Sequence, residues 1–348
     1  MNQTQTTQKL TQNNFALKKL KGIKPKGVKT KSNSKLEVLL NVEKQVVKRT
    51  EFYIDDLGLS TKIMTDLPVA KLFVDEAVHK YLINFDYSTN DLISYLQAKS
   101  VEEHPKVGIA QGLFTGSLLS LLNQKNREKG KRTIVYFDGN GCKFDNLFLM
   151  AKHSDILILN NLKGDNICKG IASNSGRANI LVGSNIVGKN CFMSVGSSKG
   201  YCNLLIGQNV TNSDNFNFLR SFANEEGELD IVIADNFPDY VVITGALLDA
   251  PRANFLYTSK MVLKGTDDYP KSKYASLVSV IESKSTSSPR SKSTFNSKYY
   301  PEKIEQYKNK FRVQEMLDLV DKINTESDEK KIKLILELEK IYKDVKTY

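Results

Sequence analysis

A repeat of about 24 residues, running from His153 to Gly265, constrains the fold of this chain more than any other feature. The first two units, residues 153–176 and 177–200, are each 24 residues long, and the third carries a three-residue insertion. Each unit holds two short apolar runs separated by asparagine and glycine, and neither run is long enough for a helical repeat. Because one such unit cannot bury its own apolar face, neighbouring units must stack on one another.

Two polar positions recur in phase through the units. The third position holds an acid or an amide, at Asp155, Asn179, Asn203, Asp230 and Asn254. The ninth is an asparagine each time, at Asn161, Asn185, Asn209 and Asn236. If the units pair as parallel strands about 4.8 Å apart, equal positions form ladders from coil to coil. Asparagine suits such a ladder at a tight turn, since it tolerates the left-handed region and its amide can bond the copy above.

A period of this length is typical of solenoids, propellers and arrays. The pattern resembles the parallel β-helix or β-solenoid class by its architecture, without the hexapeptide or calcium-binding nonapeptide signature of a named family. The predicted fold is therefore mainly β. It is a parallel β-solenoid of about 24-residue coils, with an α/β N-terminal region and a C-terminal helical hairpin.

Composition divides the chain into five predicted regions. They are a disordered basic tail (1–35), an α/β capping region (36–131), the solenoid (132–265), a Ser/Lys-rich linker (266–300) and a helical hairpin (301–348). Alternating apolar residues from Leu36 to Val42 predict short strands over 36–66, and a helix is expected to begin near Leu67. The two amphipathic helices of the hairpin are expected to cover the far end of the solenoid or to dock on a protein partner.

A helix expected over residues 107–128 carries small residues at every fourth position. Gly108, Gly112, Gly116 and Ser120 form one face that another backbone can approach closely. The alternative for residues 112–117 is a phosphate cradle at a helix start, although the lysine of a P-loop is missing there. A strand over 133–137 follows as an atypical first coil, so that the helix would cap the open edge of the stack.

Positive charge is concentrated at the amino terminus. The net charge is +11, and residues 1–35 hold nine lysines and no acid, which leaves about +2 for the remaining chain. The candidate nucleic-acid contacts are Lys18, Lys19, Lys21, Lys24, Lys26, Lys29 and Lys31. Such a block can neutralise phosphates non-specifically, and its alternatives are a localisation signal or an aid to solubility.

The first position of the repeat is the candidate binding site of the solenoid. It holds varied polar residues, which are His153, Arg177, Tyr201, Glu228 and Arg252. In a stack of coils these side chains would line up along one edge, and varied side chains on a regular scaffold can make a binding strip. The alternative is a solvated turn.

Catalytic chemistry finds little support in the sequence. A glycosidase needs two carboxylates within roughly 5–10 Å, whereas Asp155 and Asp230 would lie three coils apart, roughly 14 Å. His153 and Asp155 form the one plausible acid/base pair. The four cysteines form no CxxC pair, and residues 138–149 do not match a calcium loop, so we expect no metal and no cofactor.

The sequence predicts a non-catalytic intracellular scaffold or adaptor that associates with nucleic acid through its basic tail. We expect a cytoplasmic location and no membrane contact, since neither an 18-residue apolar run nor a secretory signal core is present. The alternative function is a carbohydrate-active β-helix enzyme, either a lyase or a hydrolase.

Overall fold

The computed structural model describes residues 34–56, 63–99, 105–211, 228–236, 241–242, 252–258, 261–262, 278–281 and 301–346. Four helices come first: α1 (Lys35–Asp56), α2 (Ile63–Leu82), α3 (Thr89–Ala98) and α4 (Pro105–Glu128). The strands are β1 (Ile134–Asp138), β2 (His153–Lys163), β3 (Arg177–Val187), β4 (Tyr201–Thr211), β5 (Glu228–Asp235), β6 (Val241–Val242), β7 (Arg252–Thr258), β8 (Met261–Val262) and β9 (Val278–Ile281). Three helices end the chain: α5 (Pro301–Lys310), α6 (Val313–Thr325) and α7 (Asp328–Val345).

The coils stack as one parallel sheet. Its seven strands follow the order β1-β2-β3-β4-β5-β7-β9, and every neighbouring pair is parallel. Ile156 pairs with Ile180 and then Leu204, which is the register that the repeat demands. The parallel β-solenoid is confirmed, and helices precede and follow it along the chain.

From β2 to β5 both faces of this sheet are buried, and they pack against different elements. Leu157, Leu181 and Leu205 face the interior of the solenoid, together with the residues of α1–α4. Ile156, Ile180 and other residues of the opposite face pack against α6 and α7. This explains why the strands read as continuous apolar runs, as parallel strands with two covered faces do.

The C-terminal hairpin therefore covers the side of the sheet, and the prediction that it covers the far end of the solenoid is wrong. Val320, Ile323, Ile335 and Leu338 are fully buried against the outer face of the strands. The expectation failed because an amphipathic pattern shows that a helix has an apolar face without showing which surface that face meets.

The asparagines of the ninth position form the predicted ladder. Asn161, Asn185, Asn209 and Asn236 all have positive φ, between 48° and 54°. Asn209 donates its side-chain amide to Asn185 at 3.0 Å, and Asn185 donates to Asn160 of the coil below at 2.9 Å. The backbone pairing of β2, β3 and β4 skips this position. The side-chain ladder thus joins the coils where the backbone ladder is interrupted.

In the first two units, residues 153–176 and 177–200, the second apolar run is a chain of turns. Lys169, Ile171 and Ser173 each donate a backbone N–H to the carbonyl three residues earlier, so that successive turns overlap. The third residue of each turn has positive φ, as at Cys168 (55°) and Ala172 (58°), which a type II turn requires. These turns also bond coil to coil, because Cys168 N–H donates to Leu147 O at 2.8 Å.

The strands predicted over residues 36–66 are wrong, because α1 occupies most of this stretch. Leu39, Val42 and Val46 are buried at helical spacing, and this pattern outweighs the short alternation from Leu36 to Val42. The next helix, α2, begins at Ile63, a few residues before the predicted start. The capping box at Ser88 and Asp91 is present at the start of α3.

Helix α4 caps the solenoid through its small-residue face, as predicted. A Cβ on Gly112 would overlap the carbonyl oxygen of Asn146, and a Cβ on Gly116 would overlap that of Leu149. Ser120 Oγ accepts the backbone N–H of Lys152 at 2.8 Å. The alternative phosphate cradle at residues 112–117 is wrong, because this stretch lies in the middle of the helix.

The close approach of α4 can be tested with two identical substitutions. Gly116→Ala should lower the free energy of unfolding by about 1–3 kcal/mol, because the added methyl group meets backbone that cannot move aside. Gly108→Ala is the control, since its Cβ would lie 3.5 Å from Asn146 Nδ2, an ordinary contact. That change should be neutral or stabilising by up to about 1 kcal/mol, as alanine favours helix. Urea unfolding of both variants measures the difference, and equal effects would contradict this packing.

The asparagine ladder predicts which of two variants at Asn185 is the more stable. Asn185→Ala should destabilise more than Asn185→Gly, although both lose the same side-chain hydrogen bonds. The difference should be about 1–2 kcal/mol, because only glycine adopts positive φ without a Cβ clash. Thermal or urea unfolding decides the order, and an alanine variant as stable as the glycine variant would argue against the left-handed ladder.

Candidate binding edge of the solenoid

The first-position residues lie in one row, as the repeat predicts. His153 pairs with Arg177, Arg177 with Tyr201, Tyr201 with Glu228, and Glu228 with Arg252. Arg177 and Glu228 are exposed, and His153 and Tyr201 are partly exposed. The side chain of Arg252 lies outside the described residues. We call this set the first-position row.

The third position forms a second ladder, two residues further along the strands. Asn203 donates its side-chain amide to Asn179 at 2.7 Å, and Asn179 donates to Asp155 at 3.3 Å. The backbone N–H of Asp155 donates to Asn123 Oδ1 of α4 at 2.7 Å. This ladder therefore fixes the first coils to each other and to the capping helix.

An arginine joins this ladder to the C-terminal hairpin. Arg132 donates to both carboxylate oxygens of Asp155, at 2.6 and 2.7 Å, and to both of Glu339 on α7, at 3.1 Å. Asn179 also donates to Glu339, at 3.1 Å. Burial favours the neutral form of Glu339, but hydrogen bonds from Arg132, Lys343 and Asn179 outweigh it and hold its pKa below the ordinary value.

Sequence reasoning missed Arg132 and Glu339, which are 207 residues apart. One signal was present. Glu339 lies among the buried positions of α7, next to Leu338 and four residues after Ile335. An acid on the apolar face of an amphipathic helix indicates a buried polar contact, without showing which residue makes it.

A second contact of the hairpin involves Asp230, the fourth member of the third-position ladder. Tyr342 of α7 donates its hydroxyl to Asp230 at 2.9 Å. Burial, followed by this neighbouring carboxylate, raises the pKa of the Tyr342 hydroxyl above its ordinary value. The hairpin is thus anchored at two third positions three coils apart, Asp155 through Arg132 and Asp230 through Tyr342.

The acid/base pair considered for His153 and Asp155 has little geometric support. The carboxylate of Asp155 accepts hydrogen bonds from Arg132, from the backbone N–H of Thr133 and from Asn179. The arrangement suits a structural role, and we call Arg132, Asp155 and Glu339 the brace at Arg132.

The cysteines and acids of the described residues offer no metal site. Among these residues no group of three or more His, Cys, Asp or Glu side chains could hold a metal ion. Burial raises the pKa of the Cys191 thiol to about 12, and burial likewise raises the pKa of Cys168 and Cys202. These thiols pack as small apolar side chains.

A group of cations surrounds His153 at the start of the first-position row. It consists of Arg127 in the last turn of α4, Lys152 and Arg177, and all three are exposed. We call these residues, together with His153, the basic corner. Burial and the charges of Lys152, Arg127 and Arg177 lower the pKa of His153, with Asp75 acting in the opposite direction.

The lysine block from Lys18 to Lys31 lies outside the described residues. Of the candidate contacts, the structure thus places His153, Arg177, Tyr201 and Glu228 together along one edge. Sequence reasoning did not identify Arg127 and Lys152. Their approach to His153 depends on how α4 packs against β2.

The brace at Arg132 predicts a loss of stability that depends on pH. Arg132→Met should lower the free energy of unfolding at neutral pH by about 1–3 kcal/mol, because the carboxylate of Glu339 is 5% exposed and loses two charged donors. Arg312→Met is the control. Its bonds to Glu315 and Asp344 are exposed, so Arg312→Met should cost less stability than Arg132→Met.

The sign of the pH dependence follows from Glu339. Its pKa in the folded chain is lowered, so ionised Glu339 stabilises the fold above its unfolded pKa of about 4.3, and this is lost as the pH falls through the folded value. Urea unfolding across acidic pH should show a shallower pH dependence for Arg132→Met than for the unchanged chain. The same slope in both would contradict the brace.

Among the described residues, no helix combines the length and the apolar character needed to cross a membrane. Comparison with family models, with curated proteins and with solved structures finds no match to this chain.

Proposed function

We propose that this chain is a non-catalytic scaffold that associates with nucleic acid through its basic amino-terminal segment. The observation that supports the scaffold most directly is the first-position row. Varied polar side chains stand in register on consecutive strands, where the sheet fixes their spacing. A partner that contacts several of them therefore meets a surface whose geometry is set before binding, which limits the entropy lost on association.

The helices around the solenoid support the same proposal. Helix α4 packs against the first coil, and α6 and α7 cover the outer face of the sheet. Arg132, Glu339 and Tyr342 hold the hairpin in one position. The buried polar groups of the chain thus hold its elements in fixed positions, as a scaffold requires.

A protein partner at the C-terminal helices remains part of the proposal, and the structure narrows the surface that it would use. The inner face of the hairpin is buried against the sheet. On the outer face of α7, Ile332 is 44% exposed and Leu336 is 43% exposed, one turn apart. A partner would contact this outer face.

The proposed location is the cytoplasm, where cysteine thiols stay reduced.

The nucleic-acid association predicts a steep dependence on salt. Replacing Lys18, Lys19, Lys21, Lys24, Lys26, Lys29 and Lys31 by glutamine should weaken binding of single-stranded RNA. It should also lower the slope of log affinity against log salt by up to about 5, since each phosphate contact contributes about 0.7. Fluorescence anisotropy over a range of salt concentrations measures both quantities.

The matched control replaces the same seven lysines by arginine. This variant keeps the charge, so it should bind with nearly the same affinity and the same slope. Unchanged binding in the glutamine variant would overturn the proposed role of the segment. A loss in both variants would show that lysine itself is needed, against the non-specific contact proposed here.

A further inference from the structure

The basic corner is held in place by contacts of the backbone. Ser120 Oγ of α4 accepts the N–H of Lys152 at 2.8 Å and that of His153 at 3.3 Å. The N–H of Arg177 donates to Lys152 O at 2.9 Å. Helix α4 and the starts of β2 and β3 therefore meet through Ser120 and Lys152. The exposed cation of α4, Arg127, lies two turns further along the helix and is among the charges that act on His153.

The positive charge of the basic corner is not balanced by nearby acids. Within the described part of the chain, no carboxylate forms an ion pair with Arg127, Lys152 or Arg177. Asp75 is the one acid among the charges that act on His153, and it already bonds Lys71 and Ser117. Unpaired cations held together store repulsion that an anion would relieve.

We propose that the basic corner is a binding site for the backbone phosphates of single-stranded nucleic acid. This inference rests on the proposed function and adds a second contact surface to it. Arg127 and Arg177 carry planar guanidinium groups that match phosphate oxygens in pairs, and Lys152 adds a third positive charge.

The row that continues from this corner suits a linear strand. Tyr201 follows Arg177 in the first-position row, and Lys199 lies two residues before Tyr201. Both are accessible, and cations beside an aromatic ring are what sites for single-stranded nucleic acid combine. Glu228 comes next in the row and would repel phosphate. The site therefore spans the coils that begin with β2, β3 and β4.

The amino-terminal segment joins the described chain near the same end of α4. Lys35, the first residue of α1, acts on Asp86, and Asp86 pairs with Lys129 at 3.0 Å. Lys129 lies two residues after Arg127. On this proposal one nucleic-acid strand contacts both the lysine segment and the basic corner.

His153 reports on this site because its protonation responds to the surrounding charge. In the free chain its pKa lies below the ordinary value. A bound phosphate offsets Lys152, Arg127 and Arg177, so the pKa of His153 should rise. By linkage, binding should tighten as the pH falls through the raised pKa.

The first test follows the histidine ring signals by NMR during a pH titration, in the full chain with and without a short oligo(U) RNA. The chain has three histidines, and a His153→Gln variant assigns the signal. We expect the RNA to raise the pKa of His153 and to leave the ring signals of His79, on the exposed face of α2, unaffected. An unchanged His153 would overturn the inference. An equal rise with inorganic phosphate at the same phosphate concentration would also overturn it, in favour of a small-anion site.

The second test compares two double variants with equal loss of charge. Arg127→Gln with Arg177→Gln should lower the salt slope for oligo(U) binding by about 1.4, two contacts at about 0.7 each. The control, Lys163→Gln with Lys333→Gln, removes two exposed cations from other parts of the surface and should leave the slope unchanged. All four side chains are exposed, so folding should be unaffected, and circular dichroism checks this.

The outcomes separate this inference from the proposed function. The inference fails and the proposed function stands under one combination of results. In it, the corner variant has the same salt slope as its control, while the variant with seven lysines replaced by glutamine binds RNA more weakly. If the corner variant loses affinity while the glutamine segment does not, the site stands and the role of the segment fails.

Discussion

Hydrogen bonding from one coil to the next is the interaction on which this structure depends. The backbone supplies most of it, through parallel pairing of strands and through turns such as the one in which Cys168 donates to Leu147. At the ninth position the chain turns with positive φ and the backbone pairing stops. There the amides of Asn185 and Asn209 continue the ladder. The repeat therefore has to be regular in sequence, because a coil without its amide would leave the bond of the next coil unmade.

The same requirement explains the tightest points of the stack. A Cβ on Gly188 would overlap the carbonyl of Gly164, and one on Gly200 would overlap that of Ala172. Within the solenoid, Gly183 leaves room for the ring of Phe192. At this point a small residue of the strand faces a large residue of the turn, so the interior fills without displacing the strand.

Some of this architecture followed from the sequence, and the part that failed did so for identifiable reasons. Period and phase predict the coils, the ladders and the first-position row, since each depends on residues one repeat apart. Helix α1 was mistaken for strands because the alternation from Leu36 to Val42 is short and also fits a helix. The site of the hairpin and the basic corner depend on contacts between distant elements. Arg132 meets Glu339 across 207 residues, and no local pattern contains that information.

The brace at Arg132 and the basic corner use charge differently: the first positions the hairpin, and the second leaves cations exposed to solvent. Glu339 is almost fully buried and shares Arg132 with Asp155, so these charges specify where the hairpin docks. Since Arg132 itself is 44% exposed, we infer that these ion pairs fix the position of the hairpin more than they add to net stability.

The cations of the basic corner are exposed, and no carboxylate of the described residues forms an ion pair with them. They therefore contribute little to folding and are available to an anion. If the lysine segment and the corner both bind one strand, the second contact forms at a high effective concentration. Two weak contacts then give an affinity that neither provides alone. On this argument the solenoid does more than space its coils, because it holds the cations that make the second contact.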